Sequence, residues 1–314
     1  MRLSYADLLN ATAGFSEQNL LGAGRFGSVY KGILGVEHDQ TPVAVKVLHL
    51  LVKGASKSFA AECDALRGAR HRNLLKILSV CESIDFQGND FKALVYEFKS
   101  NGSLEQWLHR CDGGSKLSVM QRLNIAVDIA QAIKYLHLGT DSVIIHGDLK
   151  PSNILLDEDM SACVGDFGLA KIVSNMVLSH DSSSSSTMIR GTIGYVPPEY
   201  GMSNSISTQG DVYSFGIVLL EMFVNKKPTD DLFQDGSNLH DFVAASLPDR
   251  VMEIVDPSLF PAGFEITNEQ MNYVASILTV GLSCSKEMPK DRTSIVDVVN
   301  ELSMIHKLFS TRRR

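Results

Sequence analysis

Asp148-Leu149-Lys150-Pro151-Ser152-Asn153 opens the most informative stretch of this 314-residue chain, and Gly165-Asp166-Phe167-Gly168 closes it. The aspartate of the first segment can accept a proton from a hydroxyl group, and the lysine two positions later can lie beside a phosphoryl group in transfer. The asparagine of the first segment and the aspartate of the second offer the oxygen ligands that Mg²⁺ prefers. Each residue alone is weak evidence. Because the four occur in this order and spacing, the stretch predicts a site for metal-assisted phosphoryl transfer.

The overall composition is that of an ordinary globular protein, with 44% apolar and 21% charged residues. A chain of this length suffices for one large domain or two joined lobes. The formal net charge of −7 provides no electrostatic footprint for nucleic acid, so we expect no nucleic-acid partner. The five cysteines are an odd number without a Cys-x-x-Cys pair, which favours reduced thiols in the cytoplasm over a zinc site or a disulfide framework.

The sequence shows no segment that is suited to crossing a membrane. Its longest apolar stretch, residues 217–224, is interrupted by Glu221 and is much shorter than the ~20 residues that a bilayer requires. The N-terminus lacks the long apolar run of a signal peptide. We therefore expect the chain as given to be cytoplasmic, with membrane contact only through segments that this chain does not include.

The order of predicted elements indicates an α+β fold. Strands are expected within 21–33, at 43–48, 74–80 and 91–98, with a hairpin loop at 85–90. One helix is expected where Phe59, Cys63 and Leu66 recur at i, i+4 and i+7. Beyond a change in character near Asn101-Gly102-Ser103, helices are expected from Ser118 onward and over 211–224, 271–284 and 294–308. A small strand-rich lobe, about 20–99, would thus precede a larger, mainly helical lobe, about 100–309.

A Gly-x-Gly-x-x-Gly pattern at Gly22, Gly24 and Gly27 indicates a loop whose backbone can approach phosphate groups closely. Dinucleotide-binding folds use the same spacing, but there the loop opens a helix and an acidic residue follows about twenty positions later. Here the pattern continues into a strand, and the next strand carries Lys46 instead of an acid. A nucleotide-binding hairpin is favoured, and an ordinary glycine hairpin is the alternative.

Lys46 lies in an apolar, β-branched strand, and a lysine is seldom buried without a partner. Glu62, sixteen residues later on the predicted helix, is the candidate partner, and such a pair would anchor the α- and β-phosphates of ATP. The alternative is that Lys46 extends to solvent over apolar surface while Glu62 faces water. His146, beside two isoleucines, is interpreted as a buried core residue and not as a catalyst.

In these motifs and their order, the chain resembles the protein kinase family over about residues 20–309. The resemblance implies a bilobal fold, in which the small lobe has a five-stranded antiparallel sheet and one helix. Residues 150–153 and Gly191-Thr192 resemble the serine/threonine branch. Residues 4–16, Arg70-His71-Arg72-Asn73-Leu74 and residues 210–216 are similar to plant leucine-rich-repeat receptor-like kinases, in particular the subgroup that includes immune receptors for microbial patterns.

The resemblance also implies a protein substrate, ATP and Mg²⁺ (or Mn²⁺) as cofactors, and roles for individual residues. Asp148 and Lys150 would be catalytic, Asn153 and Asp166 would bind the metal, and Thr192 on the substrate platform would hydrogen-bond between Asp148 and Lys150. The residues expected around ATP are Leu21, Gly22, Gly24, Gly27, Val29, Ala44, Lys46, Glu62 and the hinge residues Tyr96, Glu97 and Lys99. The expected structural residues are His146 against Phe167, Arg292 as the cation for a buried Glu199, and Asp211, which would cap backbone amides of the catalytic loop.

Gly147 departs from the family pattern, because most kinases carry an arginine immediately before the catalytic aspartate. Where present, that arginine is a buried charge that activation-loop phosphate neutralises. We therefore predict that phosphate does not switch this enzyme in the usual way, a trait that the resemblance associates with immune signalling and weak intrinsic activity. The alternative is that the substitution is neutral. The candidate phosphorylation sites are Ser182, Ser183, Ser184, Ser185, Ser186 and Thr187, in a tract whose composition also suits a linker without function.

The expected organisation is a juxtamembrane-like segment at 1–19, a kinase domain at 20–309 and a basic tail at 310–314. A full-length receptor would place this domain at the inner face of the plasma membrane, with a co-receptor or a cytoplasmic kinase as partner. Two other functions stay in competition. One is a kinase-shaped scaffold that signals by docking to an active partner, which Gly147 favours. The other is a small-molecule phosphotransferase, which the platform around Thr192 disfavours.

Overall fold

The computed structural model describes residues 3–35, 40–110, 116–173, 191–201, 206–233, 236–260, 263 and 267–311. The small lobe contains a five-stranded antiparallel sheet in the order β1-β2-β3-β5-β4. Its elements in chain order are α1 (Tyr5–Ala11), β1 (Leu20–Ala23), β2 (Gly27–Leu34), β3 (Thr41–Leu48), α2 (Ala55–Arg67), β4 (Ile77–Ile84) and β5 (Asp90–Glu97). The predicted antiparallel sheet and the predicted helix of this lobe are confirmed.

The two faces of the sheet have different roles because side chains alternate along each strand. Val45 pairs with Val95 in the β3–β5 register, and both are fully buried on the face that α1 covers. Their neighbours Ala44 and Lys46 point to the opposite face, which packs against α2 and the large lobe. This alternation places the single lysine of β3 inside the cleft between the lobes.

Helix α1 lies within the segment expected to be juxtamembrane-like, and it packs directly against the sheet. Ser4 and Asp7 form a capping box at its start. Leu8 is completely buried against the small-lobe cluster, and the Tyr5 ring meets Phe91 edge-on at a centroid distance of 4.8 Å. Burial of one leucine side chain contributes about 1.5–3 kcal/mol. The segment is therefore an integral part of the small-lobe core.

One predicted strand begins later than expected. Leu74 and Leu75, assigned from sequence to a strand at 74–80, precede β4, which begins at Ile77. Instead, the Leu75 amide donates to the Val164 carbonyl at 2.9 Å and the Val164 amide donates to the Asn73 carbonyl at 2.9 Å. Leu74 and Leu75 are buried because they connect the two lobes and not because they belong to the sheet. The apolar run at 74–80 therefore did not show where β4 begins. The hairpin loop between β4 and β5 is confirmed.

The large lobe is mainly helical, as predicted. Its elements in chain order are α3 (Leu104–Leu108), α4 (Val119–Leu138), β6 (Val143–Ile145), β7 (Ile154–Leu156), β8 (Ala162–Val164), β9 (Lys171–Val173), α5 (Thr208–Val224), α6 (Leu239–Ala244), α7 (Val251–Ile254), α8 (Asn268–Cys284) and α9 (Ile295–Thr311). Helix α4 begins at the Ser118 capping box and buries one apolar stripe, while α5 is buried on nearly all sides. The short pairs β6–β9 and β7–β8 position the loops that follow them. Among the described residues, no helix has the length and apolar character needed to cross a membrane.

A buried ion pair joins α4 to the segment after α7. Arg122 is 0% exposed, and its Nη2 lies 2.5 Å from Oδ2 of Asp256, which is itself buried. The same guanidinium donates to the carbonyls of Leu117 and Met222 and to the Ser258 hydroxyl. Removing one partner of such a pair costs about 3–5 kcal/mol because the other charge stays buried and uncompensated. The pair therefore fixes the packing of the large lobe beneath the cleft.

Candidate active site

Lys46 lies at the centre of the cleft, between a carboxylate from each lobe. Its Nζ is 2.7 Å from Oε2 of Glu62 on α2 and 2.6 Å from Oδ1 of Asp166. Burial alone would lower the pKa of Lys46, but the charges of Glu62 and Asp166 outweigh burial and raise it. The lysine is therefore a fixed positive charge. Its side chain is only 14% exposed, so it does not extend to solvent in the manner of the alternative interpretation.

Glu62 connects the small lobe to the segment after β8. One carboxylate oxygen accepts from Lys46, and the other accepts from the backbone amide of Phe167 at 3.3 Å. Asp166, immediately before this amide, has a left-handed φ of 58°. Burial opposes its charge, but Lys46 lowers the pKa of Asp166 below its ordinary value. The arrangement keeps α2, Lys46 and Asp166 in one charged cluster.

Asp148, Lys150 and Thr192 form a second cluster in the large lobe. Thr192 Oγ1 donates to Asp148 Oδ1 at 2.7 Å and accepts from Lys150 Nζ at 2.7 Å. Lys150 Nζ is also 3.0 Å from Asp148 Oδ2. Segment 191–201 is thereby held against the catalytic loop by the residues that sequence reasoning assigned to it. A carboxylate beside an ammonium group in this setting can orient a hydroxyl group and accept its proton.

The oxygen donors of Asn153 and Asp166 suit a divalent cation. The Asn153 side-chain amide donates to the Asp148 carbonyl at 2.9 Å, which leaves the Asn153 Oδ1 as an acceptor. The Gly165 amide donates to the Asn153 carbonyl at 2.9 Å and so brings the neighbouring Asp166 alongside. Hard oxygen ligands of this kind are those that Mg²⁺ and Mn²⁺ bind. The donor set therefore fits the metal that the sequence predicted.

The glycine loop is a tight hairpin between β1 and β2. The Gly24 amide donates to the Gly27 carbonyl at 2.9 Å. A Cβ at Gly27 would lie 2.5 Å from the Val47 carbonyl oxygen, so strand packing alone requires glycine there. A Cβ at Gly22 would meet no atom within 4 Å, so packing gives no reason for that glycine. Leu21, in β1, is 45% exposed, and Val29 and Ala44 lie on the inner face with Lys46.

The structure distinguishes the three side chains assigned to the hinge. Tyr96 is only 3% exposed and faces the core, where burial and then the charge of Glu62 raise its pKa. Lys99 Nζ lies 3.0 Å from Glu97 Oε1 and 3.9 Å from Asp157 Oδ2 in the large lobe. These side chains thus fill space and connect the lobes, and an adenine contact at 97–99 stays a prediction.

A buried carboxylate on α5 holds the catalytic loop through hydrogen bonds. Asp211 accepts from the backbone amides of His146 at 2.8 Å and Gly147 at 2.9 Å, and His137 Nε2 lies 2.9 Å away. Burial opposes the charge of Asp211, but hydrogen bonding and charge from His137 lower its pKa. His146 is fully buried, and its ring meets Phe167 at a centroid distance of 4.8 Å. The sequence had not indicated His137.

Gly147 has a φ of +79°, and a Cβ there would lie 3.1 Å from the Leu169 carbonyl oxygen. An arginine introduced at this position would strain the loop that carries Asp148. The backbone at this position therefore favours glycine, and the expectation that loop phosphate does not switch this enzyme in the usual way stays a prediction. The serine tract, Ser182–Ser186 with Thr187, and residues 312–314 of the predicted basic tail lie outside the described residues, while residues 310 and 311 belong to α9.

Two carboxylates anchor the segment that follows Thr192. Arg292 forms a two-pronged ion pair with Glu199, with both N–O distances at 2.7 Å, and it is the cation expected from the sequence. The expectation that Glu199 is buried was wrong: its side chain is 22% exposed, whereas that of Arg292 is fully buried. Glu221, fully buried in α5, accepts from the Tyr195 hydroxyl at 2.6 Å and lies 2.7 Å from His109 Nε2. The sequence analysis did not predict these partners of Glu221, although a lone acid in an apolar helix indicates that a buried partner is needed.

Together, the two lobes, the lysine–glutamate pair and the Asp148 cluster define a phosphotransferase of the protein-kinase class. A family model for protein tyrosine and serine/threonine kinases matches residues 15–302. The chain therefore belongs to the protein kinase family.

Similar proteins include several plant receptor kinases. A probable leucine-rich-repeat receptor-like serine/threonine-protein kinase of Arabidopsis thaliana is 47% identical over 319 residues, which cover 98% of this chain and 31% of that protein. The Arabidopsis thaliana receptor-like serine/threonine-protein kinase EFR is 46% identical over 99% of this chain and 30% of its own length. The receptor kinase-like protein Xa21 of Oryza sativa subsp. japonica is 46% identical, with corresponding shares of 98% and 31%. The chain thus spans about a third of these relatives.

Proposed function

We propose that this chain transfers the γ-phosphate of ATP to serine or threonine hydroxyl groups of proteins. The observation that carries the proposal is the Asp148–Thr192–Lys150 cluster, in which all three hydrogen-bond or ion-pair distances lie between 2.7 and 3.0 Å. Thr192 joins the platform to Asp148, the contact expected of the serine/threonine branch that residues 150–153 and 191–192 resemble. The names of the related proteins support the same specificity.

Each charged residue has a distinct part in the proposed reaction. Asp148 orients the acceptor hydroxyl and takes its proton, and Lys150 stabilises negative charge on the phosphoryl group in transfer. Lys46, held by Glu62, binds the α- and β-phosphates. Bound Mg²⁺ or Mn²⁺ would neutralise phosphate charge, with Asn153 and Asp166 as its ligands. Lys46, Glu62 and Asp166 are in contact in one cluster, and Asp148, Lys150 and Asn153 in another, so each group is already oriented for its part in the reaction.

The nucleotide is proposed to lie between the glycine loop and the hinge. Gly22, Gly24 and Gly27 would cover the phosphates, and Leu21, Val29 and Ala44 would contact the adenine and ribose. Since the Tyr96 side chain is buried, adenine specificity would come from the backbone of Glu97 and Lys99. Of these residues, Val29 and Ala44 lie on the inner face of the small-lobe sheet beside Lys46, and the glycine loop joins β1 to β2.

We further propose that the chain is the cytoplasmic kinase domain of a plant leucine-rich-repeat receptor, at the inner face of the plasma membrane. The named receptor kinases, which it matches over nearly its whole length, support this assignment. A co-receptor or cytoplasmic kinase would be its partner in immune or developmental signalling. A scaffold without activity is less well supported, because Lys46 contacts Glu62 and Asp166, and Asp148 is held by Lys150 and Thr192.

The test is phosphate incorporation into a generic basic protein with labelled ATP and Mg²⁺, followed by identification of the modified amino acids. The expected result is phosphoserine and phosphothreonine. Phosphotyrosine alone would contradict the acceptor class. Background incorporation with both Mg²⁺ and Mn²⁺ would favour the scaffold.

A further inference from the structure

The segment that follows α2 carries charge that the phosphotransfer site does not use. Residues 65–81 contain no aspartate or glutamate but include Arg67, Arg70, Arg72 and Lys76, all exposed. This concentration of positive charge stands out in a chain with a net charge of −7. The three arginines are here termed the basic ridge.

The backbone that carries the basic ridge is fixed to the large lobe. The Arg70 amide donates to the Tyr135 hydroxyl at 3.0 Å, and the His71 ring stacks on Tyr135 at 5.0 Å. The Asn73 side chain donates to the Ala162 carbonyl at 2.9 Å. A ligand that bound the ridge would therefore pay little conformational entropy for ordering this loop.

The guanidinium groups of the ridge are largely available. Arg72 is 80% exposed at its side chain, lies 3.8 Å from Asp128 and donates through Nε to the Asn73 side chain at 3.3 Å. Within the described part of the chain, Arg67 and Arg70 form no ion pair. Arginine offers a rigid fork of donors that matches a phosphate group. The ridge therefore has the chemistry of a phosphate-binding surface.

A polar cavity of about 490 Å³ lies beside the ridge, between α4, the turn between β7 and β8, and α9. Its lining includes Arg72, Asn124, Asp128, Asp159, His306 and Lys307. The cavity presents cations from two sides, but it also contains two carboxylates. A flat anionic membrane would be repelled by these carboxylates, whereas a peptide brings backbone N–H groups that can pair with them.

We propose that the basic ridge binds the phosphoryl group of a phosphorylated, serine-rich protein segment, whose flanking residues enter the adjoining cavity. The chain itself supplies one segment of this chemistry, the serine tract at 182–187. Gly147 leaves the catalytic loop without the arginine that would receive such a phosphate, while the ridge offers three arginines elsewhere. This inference rests on the proposed function in one respect only, namely that a serine/threonine kinase activity supplies the phosphoserine.

The test is direct binding of a fluorescent synthetic peptide to the full chain without nucleotide. The peptide has the sequence of residues 180–188 with phosphoserine at 184 and 186, and its unphosphorylated form is the comparison. Binding then does not depend on phosphotransfer, so failure of one proposal is distinguishable from failure of the other. We expect the phosphopeptide to bind at least about tenfold more tightly, with an affinity that falls as salt rises.

Arg67→Ala/Arg70→Ala is the informative variant, because neither side chain forms an ion pair in the described structure. It should weaken phosphopeptide binding by about tenfold or more. The matched control, Lys286→Ala/Lys290→Ala, removes two exposed charges elsewhere and should change affinity by less than about twofold. Equal affinity for the two peptides, or equal loss in both variants, would overturn the proposal. So would binding only to phosphatidylserine vesicles, which would assign the ridge to a membrane.

Discussion

Replacing Thr192 by valine should slow phosphotransfer while leaving the fold intact. Valine has nearly the volume of threonine but lacks the hydroxyl that donates to Asp148 and accepts from Lys150, each at 2.7 Å. A hydrogen bond to a charged group contributes about 1.5–3 kcal/mol. Asp148 and Lys150 lie 3.0 Å apart and keep their direct contact, so we expect the loss of one such contribution and not of two.

That loss corresponds to a fall in kcat/KM of about 10- to 150-fold. The assay is the steady-state rate of phosphorylation of an acceptor peptide by the wild type, Thr192→Val, and Thr192→Ser, which retains the hydroxyl. Thr41→Val, on an exposed strand position, is the matched control for the loss of a hydroxyl group. A Thr192→Val rate within about twofold of the wild type would refute the positioning role. Thr192→Ser as slow as Thr192→Val, with unchanged thermal unfolding, would refute it too.

Other predictions concern the supporting structure. Asp256→Ala should lower the free energy of unfolding by about 3–5 kcal/mol, because Arg122 is left buried without its partner. Arg122 holds the pKa of Asp256 below its ordinary value despite burial, so this stability is present above the unfolded pKa of about 3.9 and is lost as pH falls through the folded value. Unfolding titrations should therefore show the wild type and variant converging in acid, and a constant gap would contradict this account. Leu8→Ala should cost about 2–5 kcal/mol by denaturant unfolding, and a cost below ~1 kcal/mol would show that α1 is not part of the core. Glu62→Gln should raise the KM for ATP, measured against an unchanged control such as Glu17→Gln, because Lys46 loses one of its two charged partners and keeps only Asp166.

The sequence was most informative where the chemistry is local. Asp148, Lys150 and Asn153 lie within six residues, and their order and spacing together with Asp166 predicted a site for phosphoryl transfer. Glu62 could be proposed as the partner of Lys46 because it lies sixteen residues later on the predicted helix, but its burial on α2 became evident only in the fold. Such assignments need only the residue types and the element on which they lie.

Long-range partners were harder to predict, because no local pattern states which of many distant residues a buried charge will meet. Arg122 and Asp256 are far apart in the chain. Nothing in the sequence around either residue distinguishes it from a charged residue on the surface. Glu221 was noticed only as an interruption of an apolar stretch, and its contacts with Tyr195 and His109 required the fold. The burial of Leu8 likewise depends on how the first helix meets the sheet.

The most direct test of phosphotransfer at this site is the initial rate of phosphate transfer from labelled ATP to a protein acceptor, compared between the wild type, Asp148→Asn and Asp249→Asn. Asp249 is an exposed aspartate away from the cleft and controls for the loss of one charge. If Asp148 orients the acceptor and takes its proton, Asp148→Asn should lose about 10²- to 10⁴-fold in rate while Asp249→Asn is unchanged. Equal rates in all three proteins would contradict the assignment of the reaction to this site.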